Sequence, residues 1–250
     1  MRTLPDAVRR RLDPEAQYGL RLTLFALAVL LVAVPFGLLA AQVVRSGPLL
    51  RVDDGVAESV RAWMARQPGW FAQVVRVVSD AGKPPYLTVL AGLATLYLLL
   101  RDRVRLAVFV VTTALLGSVL NSTVKLLVGR PRPDTAAALA EAHGKSFPSG
   151  HAMLSTVVYG VLLLTFLPAV PRRARPYVIG GTALLVIAIA ATRVALGVHF
   201  LSDVAGGVLL GSAWLAASVA AFRLWRVDRG APAAPVTEGV EPEAAGDLTP

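Results

Sequence analysis

The sequence predicts an all-α fold, a polytopic membrane bundle of six transmembrane helices, and three observations predict it. Hydrophobic residues make up 55% of the 250-residue chain and charged residues only 16%, with a mean hydropathy of +0.62, too apolar for an ordinary soluble domain. Six apolar stretches approach or exceed the roughly 20 residues that cross about 30 Å of hydrocarbon. Arginine clusters mark alternate connections between them, as topology signals do.

Taken in order, residues 1–21 are polar and rich in arginine, and the first span runs from about Leu22 to Val44. That run is too long for the apolar core of a signal peptide and lacks a small-x-small exit. Residues 46–83 carry mixed charge. Val56, Val60, Trp63 and Met64 recur at helical spacing, Pro68-Gly69 breaks the pattern, and Trp70, Phe71, Val74 and Val75 follow. Two short amphipathic helices at the membrane interface, or packed on the bundle, account for this. Five further spans are expected at about 84–100, 104–126, 149–170, 177–196 and 200–225. The second is short and opens on Pro84 and Pro85, residues suited to a first helical turn. From 227 to 250 the chain is dominated by Pro, Ala, Gly and acidic residues, read as a disordered cytoplasmic tail beyond a membrane domain at 1–226.

Charge orients the bundle. Arg2, Arg9, Arg10, Arg11 and Arg21 precede span one, and Arg101, Arg103 and Arg105 separate spans two and three. Arg172, Arg173 and Arg175 separate spans four and five, and Arg223, Arg226 and Arg229 follow span six. The positive-inside rule makes all four clusters cytoplasmic, with both termini inside and the other connections outside. The formal net charge of +9 is therefore a topology signal, and with no continuous basic face it does not imply nucleic acid. The absence of cysteine excludes disulfides, thiolate metal sites and a cysteine nucleophile.

Three polar clusters fall at the outward span ends. Lys125, Arg130 and Arg132 lie at the exit of span three, Pro148-Ser149-Gly150-His151 opens span four, and Arg193, His199 and Asp203 bracket the turn between spans five and six. Lys125, Arg132 and Arg193 would together neutralise a phosphate dianion, an arginine binding two oxygens in a fork where a lysine supplies a point charge. Ser149 suits an N-cap, and helix N-terminal N–H groups beside Gly150 favour an anion. His151 can pass a proton near neutral pH. His199 and Asp203 are four residues apart and share a helix face, so the carboxylate can fix the imidazole tautomer. No further ligand set has metal spacing, so neither a metal nor another cofactor is expected. The residues alone leave open which histidine attacks.

Lys-x6-Arg-Pro at 125–133, Pro-Ser-Gly-His at 148–151 and Arg-x5-His-x3-Asp at 193–203 resemble the three signature motifs of the type 2 phosphatidic acid phosphatase superfamily. This is a group of lipid phosphate phosphatases related to bacterial acid phosphatases and vanadium haloperoxidases. The third motif usually begins Ser-Arg, where this chain has Thr192-Arg193. The motif core spans 125–203, and the six-span pattern extends the resemblance over most of the chain. The resemblance implies that His199 attacks phosphorus, Asp203 orients it, and His151 protonates the leaving oxygen and then activates water. Lys125, Arg132, Ser149, Gly150 and Arg193 would hold the phosphate oxygens. The implied substrate is a lipid phosphate or diphosphate in the outer leaflet, with polyprenyl diphosphates such as undecaprenyl diphosphate, phosphatidylglycerophosphate and phosphatidate as the candidate classes. A phosphotransferase using an alcohol in place of water would share every motif residue. A non-catalytic lipid-binding or transport protein has less support, since neither paired repeats nor broken helices are evident.

Overall fold

The computed structural model describes residues 17–133, 139–140, 144–227, 229 and 235–248, with side chains from residue 30 onward except at Val227. Among these residues the fold is all-α. The eight α-helices are α1 (Gln17–Val44), α2 (Leu49–Met64), α3 (Gly69–Asp80), α4 (Pro84–Leu100), α5 (Val104–Val128), α6 (Gly150–Phe166), α7 (Arg175–Ala195) and α8 (Leu201–Val227). The expected spans agree with α1 and α4–α8 to within a few residues at each end.

Helices α5, α7 and α8, together with α6 extended by the 3₁₀ turn Leu167–Ala169, are long and apolar enough to cross a membrane. Two bent pairs bring the number to as many as six: α1 with α2, at 85°, and α3 with α4, at 44°. The near-right-angled bend turns α2 across the end of α1. Both amphipathic helices also pack on the bundle: Val56 and Val60 meet Ala152, Ala190, Val194 and Val204, while Met64 and Val75 meet Leu196 and Val198. Trp63 and Trp70 stay exposed, as residues at headgroup depth do.

α6 packs most extensively against α8. A Cβ on Gly207 would lie 2.6 Å from the Ser149 carbonyl oxygen, and one on Gly211 would lie 2.8 Å from that of Met153. This Gly-x3-Gly stripe brings the two backbones together, as small residues do in membrane helix pairs. Its functional effect is to hold the N-terminus of α6 beside that of α8. α5 runs antiparallel to α8, so Lys125 at its end joins the same cluster while Arg103 and Arg226 lie at the opposite end.

The tail departs from the disordered extension expected for 227–250. Residues 235–248 form 3₁₀ turns at Val236–Glu238 and Pro242–Asp247. Val240, Ala244 and Leu248 are buried, and their four-residue spacing gives one apolar face that composition alone concealed. Arg226 pairs with Glu243, Arg103 with Asp247, and Arg172 with Glu238. The Tyr97 hydroxyl donates to the Leu248 carbonyl at 3.0 Å.

Candidate active site

α5 ends at Gly129, whose φ of 66° lies in the left-handed region that glycine adopts without penalty. Pro131 follows, and the chain turns across the mouths of α6 and α8. Lys125 Nζ donates to the carbonyls of Lys145 at 2.9 Å and Ser146 at 3.4 Å. Arg132 donates from Nε to the Gly144 carbonyl at 3.2 Å and from Nη1 to that of Val198 at 2.8 Å. The 144–146 backbone thus aims both cations at His199.

Arg132 Nη1 lies 3.1 Å from His199 Nε2. A guanidinium has only donors, so Nε2 carries the lone pair and Nδ1 the proton. Nδ1–H faces Asp203 Oδ2 at 3.3 Å, an oxygen that also accepts the Phe200 N–H at 2.9 Å. The second bond is the backward half of a capping box, which fixes Asp203 in the first turn of α8. His199 is buried, in the turn between α7 and α8. Burial lowers its pKa to about 4 against the opposing pull of Asp203, with Arg132 and Lys125 adding to the depression. The imidazole is therefore neutral at pH 7 and nucleophilic at Nε2.

Ser149 occupies the N-cap position of α6, but its hydroxyl makes no capping bond. Its N–H instead donates to the Asp203 backbone carbonyl at 2.9 Å, tying the two helix mouths together. Gly150 lies against Asn121 and Lys125. His151 lies within electrostatic range of Arg193, His199 and Arg132. A Cβ on Gly82 would come 3.2 Å from its ring, so that glycine lets the turn between α3 and α4 cover it. Arg193, buried in the last turn of α7, donates from Nη1 to Ser79 Oγ at 2.6 Å. The structure thus gathers all eight sequence-predicted residues at one end of the bundle. Three buried atoms there, Ser149 Oγ, His151 Nε2 and Arg193 Nε, have no hydrogen-bond partner among the described residues. Buried polar atoms of this kind call for an explanation, and a bound ligand supplies one.

Sequence reasoning missed a second layer. Arg130 is buried, donating to Asp203 Oδ1, Asp53 Oδ2 and Ser202 Oγ, each at 2.7 Å, and its guanidinium lies 4.1 Å from the Phe200 ring centre. Asp53 on α2 also accepts the Ser202 N–H at 2.9 Å and the Ser202 hydroxyl. Arg130 therefore engages one oxygen of Asp203 and leaves the other for His199. Asp53 could have been found, because it stands three and seven residues before Val56 and Val60, on the stripe α2 buries. Among the described residues no group of three or more His, Cys, Asp or Glu side chains gathers to form a metal site.

The chain is 29% identical over 180 residues to phosphatidylglycerophosphatase B of Bacillus subtilis (strain 168), covering 70% of this chain and 86% of that protein. Its fold matches the crystal structure of a transmembrane PAP2 type phosphatidylglycerolphosphate phosphatase from Bacillus subtilis. The TM-score is 0.71 at 22% identity, covering 82% of this chain and 98% of that one. The PAP2 superfamily model matches residues 103–226, which include every motif residue. With the motifs, the family match and the fold in agreement, the chain belongs to the PAP2 superfamily.

Proposed function

We propose that this membrane lipid phosphatase, a phosphoric ester hydrolase, cleaves its substrate through a phosphohistidine on His199 at the extracytoplasmic face. The observation that carries the proposal is the set of partnerless atoms on Ser149, His151 and Arg193, buried beside a neutral imidazole whose nucleophilic nitrogen faces a guanidinium. A phosphate dianion satisfies all of them. Lys125, Arg132 and Arg193 balance its charge, and Ser149 Oγ with the N-terminal N–H groups of α6 binds its oxygens.

In the first step the Nε2 lone pair of His199 attacks phosphorus and the bond to the lipid oxygen breaks. His151 gives that oxygen a proton. In the second, His151 takes a proton from water, whose oxygen attacks phosphorus as the N–P bond breaks and inorganic phosphate leaves. Asp203 supports the positive charge that develops on His199, holding the imidazole as the aspartate of a catalytic triad does. Fixed cations stabilise the charge spread over the equatorial oxygens, so the scheme needs no metal. The sidedness rests on charge: the site lies at the bundle end away from the arginine clusters at 101–105, 172–175 and 223–229, which the positive-inside rule makes cytoplasmic along with both termini; the cluster from Arg2 to Arg21 lies outside the residues whose side chains are described.

Phosphatidylglycerophosphate is the first substrate to test, because the relative at 29% identity is named for it. Phosphatidate and undecaprenyl diphosphate are its rivals. The test is phosphate release from the purified protein with each lipid, beside His199→Ala. Release that ranks the three and vanishes in the variant supports the proposal; release that survives in the variant refutes it.

A further inference from the structure

The end of the bundle opposite His199 carries a feature that phosphate chemistry does not use. Between α5 and α8 lies a groove of about 630 Å³, with Arg105, Phe109 and Leu116 on one wall and Trp214, Phe222 and Trp225 on the other. From Arg105 to Leu116 is about 17 Å along the helix axis, close to half of the roughly 30 Å hydrocarbon thickness. The groove is thus one leaflet deep. Two of its polar wall groups are satisfied internally: Trp214 Nε1 donates to the Thr113 carbonyl at 2.8 Å, and the Thr112 hydroxyl to that of Val108 at 2.6 Å. What fits such walls is a hydrocarbon chain.

The mouth has a different chemistry. The Arg105 and Arg229 guanidinium carbons lie 5.8 and 4.4 Å from the Trp225 ring centre. Three other arginines at this end are neutralised, Arg103 by Asp247, Arg226 by Glu243 and Arg172 by Glu238. Arg105 and Arg229 make no ion pair among the described residues. The acidic tail thus neutralises its neighbours and leaves two cations where the groove opens.

We propose that this groove seats one acyl chain of an anionic phospholipid in the leaflet opposite the active site, with the headgroup phosphate on Arg105 and Arg229. The chain passes Phe222 and ends near Trp214. Leu116 is nine residues short of Lys125, about 13 Å along α5, so this lipid is separate from the substrate. It bridges the helices that carry Lys125 and Asp203. A two-fold-related copy on the same face would bring Arg105 and Arg229 toward their own counterparts, so like charges favour the lipid.

The test uses tryptophan quenching of the full-length protein in phosphatidylcholine vesicles doped with phosphatidylserine brominated on its acyl chains. Phosphatidylserine is anionic and is not a phosphomonoester. Saturable quenching is expected near one lipid per chain. It should be about 30-fold tighter than with brominated phosphatidylcholine, weakened about fivefold by Arg105→Gln or Arg229→Gln, and retained in His199→Ala. Trp214→Phe should remove most of it. Phosphate release from a water-soluble phosphomonoester reports that each arginine variant is folded. Equal quenching by the two lipids, or no change in folded arginine variants, overturns the proposal. So does efficient cross-linking between chains at Ser218→Cys, since the chain has no native cysteine and such a product puts a second copy on this face.

Discussion

Asp53→Asn probes whether α2 is part of the catalytic apparatus. The Asp53 carboxylate is buried and accepts from Arg130 Nη2 at 2.7 Å, the Ser202 N–H at 2.9 Å and the Ser202 hydroxyl. Removing one partner of a buried ion pair costs about 3–5 kcal/mol. Asparagine keeps the shape and one acceptor oxygen, which leaves a loss of about 2–3 kcal/mol. At about 2–4 °C per kcal/mol for a chain of this size, Tm should fall by about 4–12 °C. Catalysis should suffer as well, because Arg130 then has Asp203 as its sole carboxylate partner and draws it from His199. A tenfold loss of kcat/KM corresponds to about 1.4 kcal/mol of transition-state stabilisation, and at least that is expected. The assay pairs thermal unfolding with phosphate release, using the exposed neighbour variant Asp54→Asn as the control. Asp53→Asn matching the wild type in both readings would refute the positioning role of the Asp53–Arg130–Asp203 chain.

Three further outcomes follow from the geometry. With its pKa lowered to about 4, His199 stays neutral until well below the ordinary histidine value. The acid limb of kcat/KM assigned to it should therefore fall near pH 4; the same depression gives stability that is present above pH 6.5 and lost as pH drops through 4. A nucleophile limb titrating near 6.5 contradicts this. EDTA should leave turnover unchanged, and activity lost to chelation and restored by a divalent cation would require a different mechanism. Gly207→Ala should force α6 and α8 apart at Ser149, costing about 1–3 kcal/mol and lowering kcat/KM, while Gly92→Ala, where a Cβ meets nothing within 4 Å, should be neutral in both.

Local features of the fold and site were legible in the sequence. Span positions followed from apolar length, and the eight candidate residues that the structure brings together followed from three short motifs at span ends, where membrane burial makes polar side chains conspicuous. Contacts joining distant segments were not legible. Asp53 meets Arg130 across 77 positions and Ser79 meets Arg193 across 114, and no local pattern encodes such pairings. The amphipathic helices had two readings, interfacial or packed on the bundle, because their stripes serve both; the structure packs them on the bundle and adds Asp53 and Ser79 to the site. In the described part of the tail, Pro, Gly and acidic residues hide the spacing of Val240, Ala244 and Leu248.

The central claim is that phosphate passes through His199. Mixing the protein with substrate labelled at the transferred phosphorus, quenching in alkali and mapping the labelled peptide tests it directly. The account predicts up to one acid-labile label per chain on the peptide containing His199, absent in His199→Ala. Label on the peptide containing His151, or label persisting in that variant, would contradict it.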